Sequence, residues 1–147
     1  MALLLIPWLA CKDQAEPEHA KLSAPPPADV AAMILPPALD TTLPSGRRNV
    51  YLAGMRNQHG FFVERSTFPP GYKGLPHIHN GDIYVTIISG SVRIGMSDRY
   101  DTTAKVPVYG PGSFIIIKAD QPHYEWFTEE CTMQIEGIGP NETFYVK

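Results

Sequence analysis

The sequence predicts an all-β domain. Short runs of β-branched and aromatic residues are bounded by turn residues, and fifteen prolines and twelve glycines are spread among them. No run carries a helical period. In order, the candidate strands are Val50–Ala53, Phe61–Phe68, Ile83–Ser89, Ser91–Met96, Phe114–Lys118, Tyr124–Thr128, Thr132–Gly137 and Thr143–Val146. Ser89-Gly90 reads as the turn of a hairpin, with glycine supplying positive φ. Short strands at this spacing imply a sandwich or a closed barrel.

The chain of 147 residues has length for one core. Hydrophobic residues at 44% and charged residues at 18% suit a globular protein. A formal net charge of -3 gives no electrostatic reason for a nucleic-acid partner or an anionic membrane surface. Cys11 and Cys131 are the only cysteines, so no disulfide framework is expected and the core must hold by packing.

The expected organisation is a tail over 1–20, a proline-rich linker over 21–46 and a barrel over 47–147. The opening MALLLIPWLA is apolar, and Leu9-Ala10-Cys11 resembles the end of a lipoprotein processing box without the usual basic start. Export or lipid anchoring is one expectation, and an apolar tail on a cytoplasmic protein is the other. Ten residues are too few for a transmembrane helix. Pro25-Pro26-Pro27 and Pro36-Pro37 prevent regular structure nearby, although Val30–Leu35 is apolar enough to add an edge strand.

The chemistry-bearing signal is GYKGLPHIHNGDIYVTIISG. His77 and His79 are two apart, so on an extended strand both imidazoles share one face and one ion can reach both. Pro76 favours the extended backbone this needs. The plainer alternative is a pair of structural histidines held by hydrogen bonds.

Gly71, the pair His77-Ile78-His79 and Gly90 together resemble the first motif of the cupins. Gly112-Ser113-Phe114-Ile115-Ile116-Ile117-Lys118-Ala119-Asp120-Gln121-Pro122-His123 is similar to the second. PGYKGLPHIH, PGSFIIIKADQPHYEW and QIEGIGP resemble a bacterial subgroup of small single-domain cupins. The resemblance covers about the last hundred residues and implies a jelly-roll β-barrel. It also implies that His77, His79 and His123 meet inside as ligands of one divalent transition metal, with Fe, Mn, Zn, Ni and Cu all open. Cupins commonly pair, which makes a homodimer the expected assembly.

Two departures qualify that expectation. Ile83 stands where most metal-binding cupins have a ligating glutamate, and Asp120 stands where the second motif often has glycine. Asp82 would reach the site only if a bulge at Asn80-Gly81 changed the strand parity. Alternation in Thr132–Glu136 puts Gln134 and Glu136 on one face, either an exposed polar face or the cavity. The related small cupins carry a histidine at this place, so Glu136 is expected as the replacement ligand and general base. His19, His59, the Arg47-Arg48 pair and a buried Cys131 are given no chemical role.

No nucleophile and base pair of the Ser-His-Asp or Cys-His kind is recognisable. Two function classes remain. One is a mononuclear metal enzyme, an oxygenase, isomerase or hydrolase of a small molecule. The other is a binding module, with or without metal, that senses a ligand or builds a dimer. Fold alone does not separate them.

Overall fold

The computed structural model describes residues 39–146. The tail expected over 1–20, Cys11 and the edge strand proposed at Val30–Leu35 lie outside the described residues. Eleven strands run in order: β1 (Leu39–Thr42), β2 (Arg48–Ala53), β3 (Gly60–Phe68), β4 (Lys73–His79), β5 (Ile83–Ser89), β6 (Val92–Gly95), β7 (Val108–Tyr109), β8 (Phe114–Ile117), β9 (His123–Trp126), β10 (Cys131–Gly139) and β11 (Thr143–Tyr145). No helix is present among the described residues, and none is long and apolar enough to cross a membrane.

The strands form two antiparallel sheets in a jelly-roll. One has the order β1-β2-β3-β10-β5-β8 and the other β11-β4-β9-β6-β7. The all-β class holds, and the eight expected strands match β2, β3, β5, β6 and β8 to β11 within a few residues. β1 lies within the stretch expected as linker and extends the first sheet by pairing with β2. β7 carries only two residues, too few for a periodic signal.

The expected hairpin at Ser89-Gly90 is corrected. Gly90 does take a positive φ of 69°, so the turn is real. Yet β5 pairs with β10 and β8, whereas β6 pairs with β9 and β7. The chain therefore crosses between sheets at this turn. Gly90 packs so closely on β10 that a Cβ there would overlap the Glu130 carbonyl oxygen.

Alternation along each strand decides what the barrel encloses. Ile83, Val85 and Ile87 of β5 lie beside Ile115 and Ile117 of β8 and Met133 and Ile135 of β10 on the inner face of the first sheet, in one apolar core. Phe68 stacks on Phe127 at 4.4 Å between ring centroids, and Tyr72 meets both edge-on. This aromatic group joins the end of β3 to the segment after β9. Phe61 and Phe114 are 56% and 60% exposed, because their strands turn them outward.

Substitution at Gly90 tests the crossing. Gly90→Ala should destabilise by roughly 3 kcal/mol, since positive φ and overlap with backbone act together. Gly112 has a similar φ of 83°, but a methyl group added there would meet nothing within 4 Å, so Gly112→Ala should cost only about 1 kcal/mol. Equal losses in chemical denaturation would contradict this packing.

Candidate metal centre in the barrel interior

Two adjacent strands present the histidines. His77 and His79 lie on β4, and His123 opens β9, where it stands directly opposite His77. The pairing of β4 with β9 carries one irregularity. Gly74 opposes Glu125 and His77 opposes His123, so β4 holds one more residue than β9 between the two pairs. A bulge at Leu75-Pro76 accommodates it, a position where proline's missing N–H breaks no ladder bond. Leu75 is pushed outward to 56% exposure, while Gly74, His77 and His79 all remain buried.

All three imidazoles are held in the same way. The Nδ1 atoms of His77, His79 and His123 lie 2.7, 3.3 and 3.0 Å from the carbonyl oxygens of Leu75, Glu142 and Gln121. A carbonyl only accepts, so each Nδ1 must carry the proton and donate it. The Nε2 lone pairs are thereby left free, which is the arrangement of metal-ligating histidines. Thr143 at the start of β11 also places its hydroxyl 3.2 Å from Nδ1 of His79.

The rings crowd together, with His77 and His123 centroids 4.1 Å apart. One nitrogen from each of the three residues lies within 4.8 Å of the others, so the three could hold a metal ion. Burial disfavours the charged form of His79 and His123. Burial, aided by the nearby Arg56 charge, pushes the His79 imidazole down to about 3. Burial and the neighbouring His77 push His123 down to about 4.

The histidines face a cavity of about 120 Å³. Its apolar wall includes Val85, Ile117, Met133 and Ile135, and its polar wall includes Arg47, Arg56 and Glu125. None of these three charged residues stands out in the sequence. Arg47, assigned no chemical role from the sequence, points inward. It donates to Glu64 at 2.8 Å, Ser66 at 3.0 Å and Asn49 at 2.8 Å, and lies 4.8 Å from the Phe68 ring. Glu64 is 1% exposed, and alternation from Phe62 through Ser66 to Phe68 was the available signal that it faces in. Glu125 lies two residues beyond His123 on the same face. Gly74 makes room for its carboxylate, and burial pushes the carboxyl up.

Glu136, expected as the replacement ligand, is not brought to the histidines. Met133 and Ile135 take the interior positions of β10. Glu136 therefore faces outward, where its carboxylate accepts from Gln134 at 2.7 Å, and Gln134 accepts in turn from Arg65 at 2.8 Å. The only register shift in the pairing of β10 with β5 falls between Thr132 and Met133, before Glu136, so nothing reverses its parity. The carboxylate that does face the cavity is Glu125.

The other sequence candidates sort simply. Asp82 is turned to the surface, where it binds Lys118 and accepts from the Ala119 amide. Ile83 is 2% exposed and part of the apolar core, so it contributes no donor. Asp120 takes a positive φ of 59°, the conformation that suits the glycine expected there. His59 is exposed in a loop. Cys131 is fully buried, and burial pushes its thiol up to about 11, so it is inert.

Neither a protein-family model nor a curated protein matches the sequence. Solved structures do resemble the fold. An RmlC-like cupin from Shewanella frigidimarina aligns with a TM-score of 0.57 at 13% identity, over 68% of this chain and 82% of its own. The polyketide cyclase RemF from Streptomyces resistomycificus aligns with a TM-score of 0.57 at 17% identity, over 81% of each chain. KdgF from a Halomonas species aligns with a TM-score of 0.52 at 13% identity, over 67% of this chain and 84% of its own. At such identities the likeness concerns architecture, and by that architecture, two jelly-roll sheets closed around an inward histidine cluster, this chain has the cupin fold.

Proposed function

We propose that the barrel is a metal-dependent site for a small organic molecule, with one divalent transition metal bound by Nε2 of His77, His79 and His123. One observation carries this reading: three buried imidazoles are all fixed as Nε2 bases by carbonyl partners on Nδ1. Buried structural histidines would use both nitrogens on protein partners. An all-imidazole set suits Fe(II), Mn(II), Zn(II), Ni(II) or Cu(II). When bound, such an ion supplies Lewis-acid polarisation of an oxygen ligand.

The chain's own residues do the rest. Val85, Ile117, Met133 and Ile135 limit water beside the histidines, and Tyr145 and Thr143 of β11 border the same cavity. Glu125 takes the proton-handling role expected of Glu136, because its carboxylate faces the cavity. This arrangement serves turnover of a small molecule. RemF is a polyketide cyclase, which supports an enzymatic reading without fixing a substrate.

A second copy of the chain is the proposed partner. β8 is an edge of its sheet, and Phe114 and Ile116 stand outward on it at 60% and 48% exposure, with Phe114 6.4 Å from the Tyr84 ring. An apolar edge strand of this kind favours pairing. Sedimentation should report a dimer that Phe114→Asp shifts towards monomer, and a monomeric wild type would refute the assembly.

Metal analysis of protein purified without chelator tests the centre itself. His77→Ala and His123→Ala should each lose most of the bound metal, whereas His59→Ala and Glu136→Gln should retain it. Metal should also raise the melting temperature, because it binds only the folded chain. Equal metal content in all four variants would refute the site.

The metal-free protein should also show a specific pH dependence. The unfolded chain protonates His79 and His123 near their ordinary value of 6.5, while the folded chain resists protonation until about 3 and 4. Between these limits the unfolded state holds more protons, so stability is full above about pH 6.5 and falls as the pH drops towards 4. His79→Asn should flatten that slope. An unchanged slope in denaturation curves would mean that the histidines are not the titrating groups.

A further inference from the structure

Arg56 is one of three residues, with Tyr100 and Asn141, that keep a buried polar side-chain atom without a partner among the described residues, and it alone carries a full charge. Its neighbour Arg47 makes three hydrogen bonds through Nε and Nη2, to Asn49, Glu64 and Ser66. Arg56 makes a single long contact, from Nη2 to Glu64 Oε1 at 3.4 Å, and that same oxygen already accepts from Arg47 at 2.8 Å and Ser66 at 3.2 Å. Its Nε is buried without a partner among the described residues. A guanidinium offers five donors in a fixed planar fork, and a buried donor left unmade is costly.

The position of Arg56 is fixed by the fold. Its backbone carbonyl accepts from the Asn141 amide at 2.8 Å, and its guanidinium lies 5.4 Å from the Phe62 ring. The side chain borders the histidine cavity and also the neighbouring pocket formed with Tyr51, Asn57 and Thr143. One carboxylate, Glu64, thus serves two guanidiniums that both border the cavity, and Arg56 is the one held to it by only a long contact. Such a fork matches a carboxylate bidentately.

We propose that Arg56 is the anion-recognition residue of this cavity and that the small molecule it takes is a short organic acid, its carboxylate on Arg56 and a second oxygen towards His77, His79 and His123. The cavity of about 120 Å³ is small beside ordinary ligand pockets of roughly 300–1,000 Å³, which favours a short acid. The assignment deepens the metal-site reading and rests on it for the second oxygen, while the carboxylate contact needs no metal.

The test is binding of glycolate, pyruvate and their neutral amides to metal-free and Zn(II)-loaded protein, followed by calorimetry and thermal shift, with metal content measured for every variant. The acids should bind and the amides should not. Arg56→Gln should weaken the acids about ten- to a hundred-fold while leaving metal content unchanged. Arg65→Gln, at an exposed position on the outer sheet face, should change neither. Arg56→Lys keeps the charge without the fork, should weaken the acids less, and replaces the glutamine variant if that does not fold. Equal binding of acid and amide, no binding of either acid, or acid binding indifferent to Arg56 would overturn the proposal. Absence of metal from all forms, with acid binding still dependent on Arg56, would instead refute the metal reading and leave the anion site standing.

Discussion

A barrel that closes over polar groups must give each of them a partner, and the interior of this protein is organised by that requirement. An unpaired donor or acceptor in such a place costs about 1–3 kcal/mol, a large share of a small domain's total stability. The Nδ1 atoms meet this need on carbonyls of Leu75, Gln121 and Glu142. Asn49, Ser66, Glu64 and Arg47 meet it by forming one connected network on β2, β3 and the turn before them. Beside the cavity, what remains after these pairings includes the three Nε2 lone pairs, the Glu125 carboxylate and the guanidinium of Arg56. Function is read from that remainder.

Two backbone irregularities make this interior possible. The bulge at Leu75-Pro76 changes the phase of β4, so that Gly74 opposite Glu125 and His77 opposite His123 both look inward. Without it, a period of two would send one pair to solvent. The crossing at Gly90 moves the chain from the sheet that carries the apolar wall to the sheet that carries the histidines. The two walls of the cavity therefore come from different sheets, apolar residues from β5, β8 and β10, and histidines from β4 and β9. The Phe68, Tyr72 and Phe127 group fastens them beside the polar network.

The outside of the first sheet shows the same alternation with the opposite content. Arg65, Gln134 and Glu136 form a hydrogen-bonded row across β3 and β10. Towards the β8 edge this row gives way to Tyr84, Phe114 and Ile116. Polar cross-strand pairing suits a solvated face, and an apolar edge suits a partner. The far side of the second sheet is covered instead by the connection that follows β6, where the Asp101 carbonyl accepts from the Tyr124 hydroxyl at 2.7 Å.

The sequence by itself determined the all-β class, most strand positions and the meeting of His77, His79 and His123. The signals were local or motif-like: turn residues between short runs, a two-residue spacing, and glycines and prolines in register with a cupin pattern. Apart from the motif histidines, tertiary structure decided what depends on which strands become neighbours. Phe62, Glu64, Ser66 and Phe68 alternate legibly, but only the placement of β3 beside β2 gives Glu64 its partner in Arg47. Glu136 and Glu125 look alike in sequence, each a glutamate one residue from an apolar one. Strand phase sends the first to solvent because Met133 and Ile135 fill the core, and turns the second inward because it follows His123 by two. Side-chain facing has a period of two, so a single bulge or neighbouring core residue reverses it, and neither is encoded in the glutamate itself.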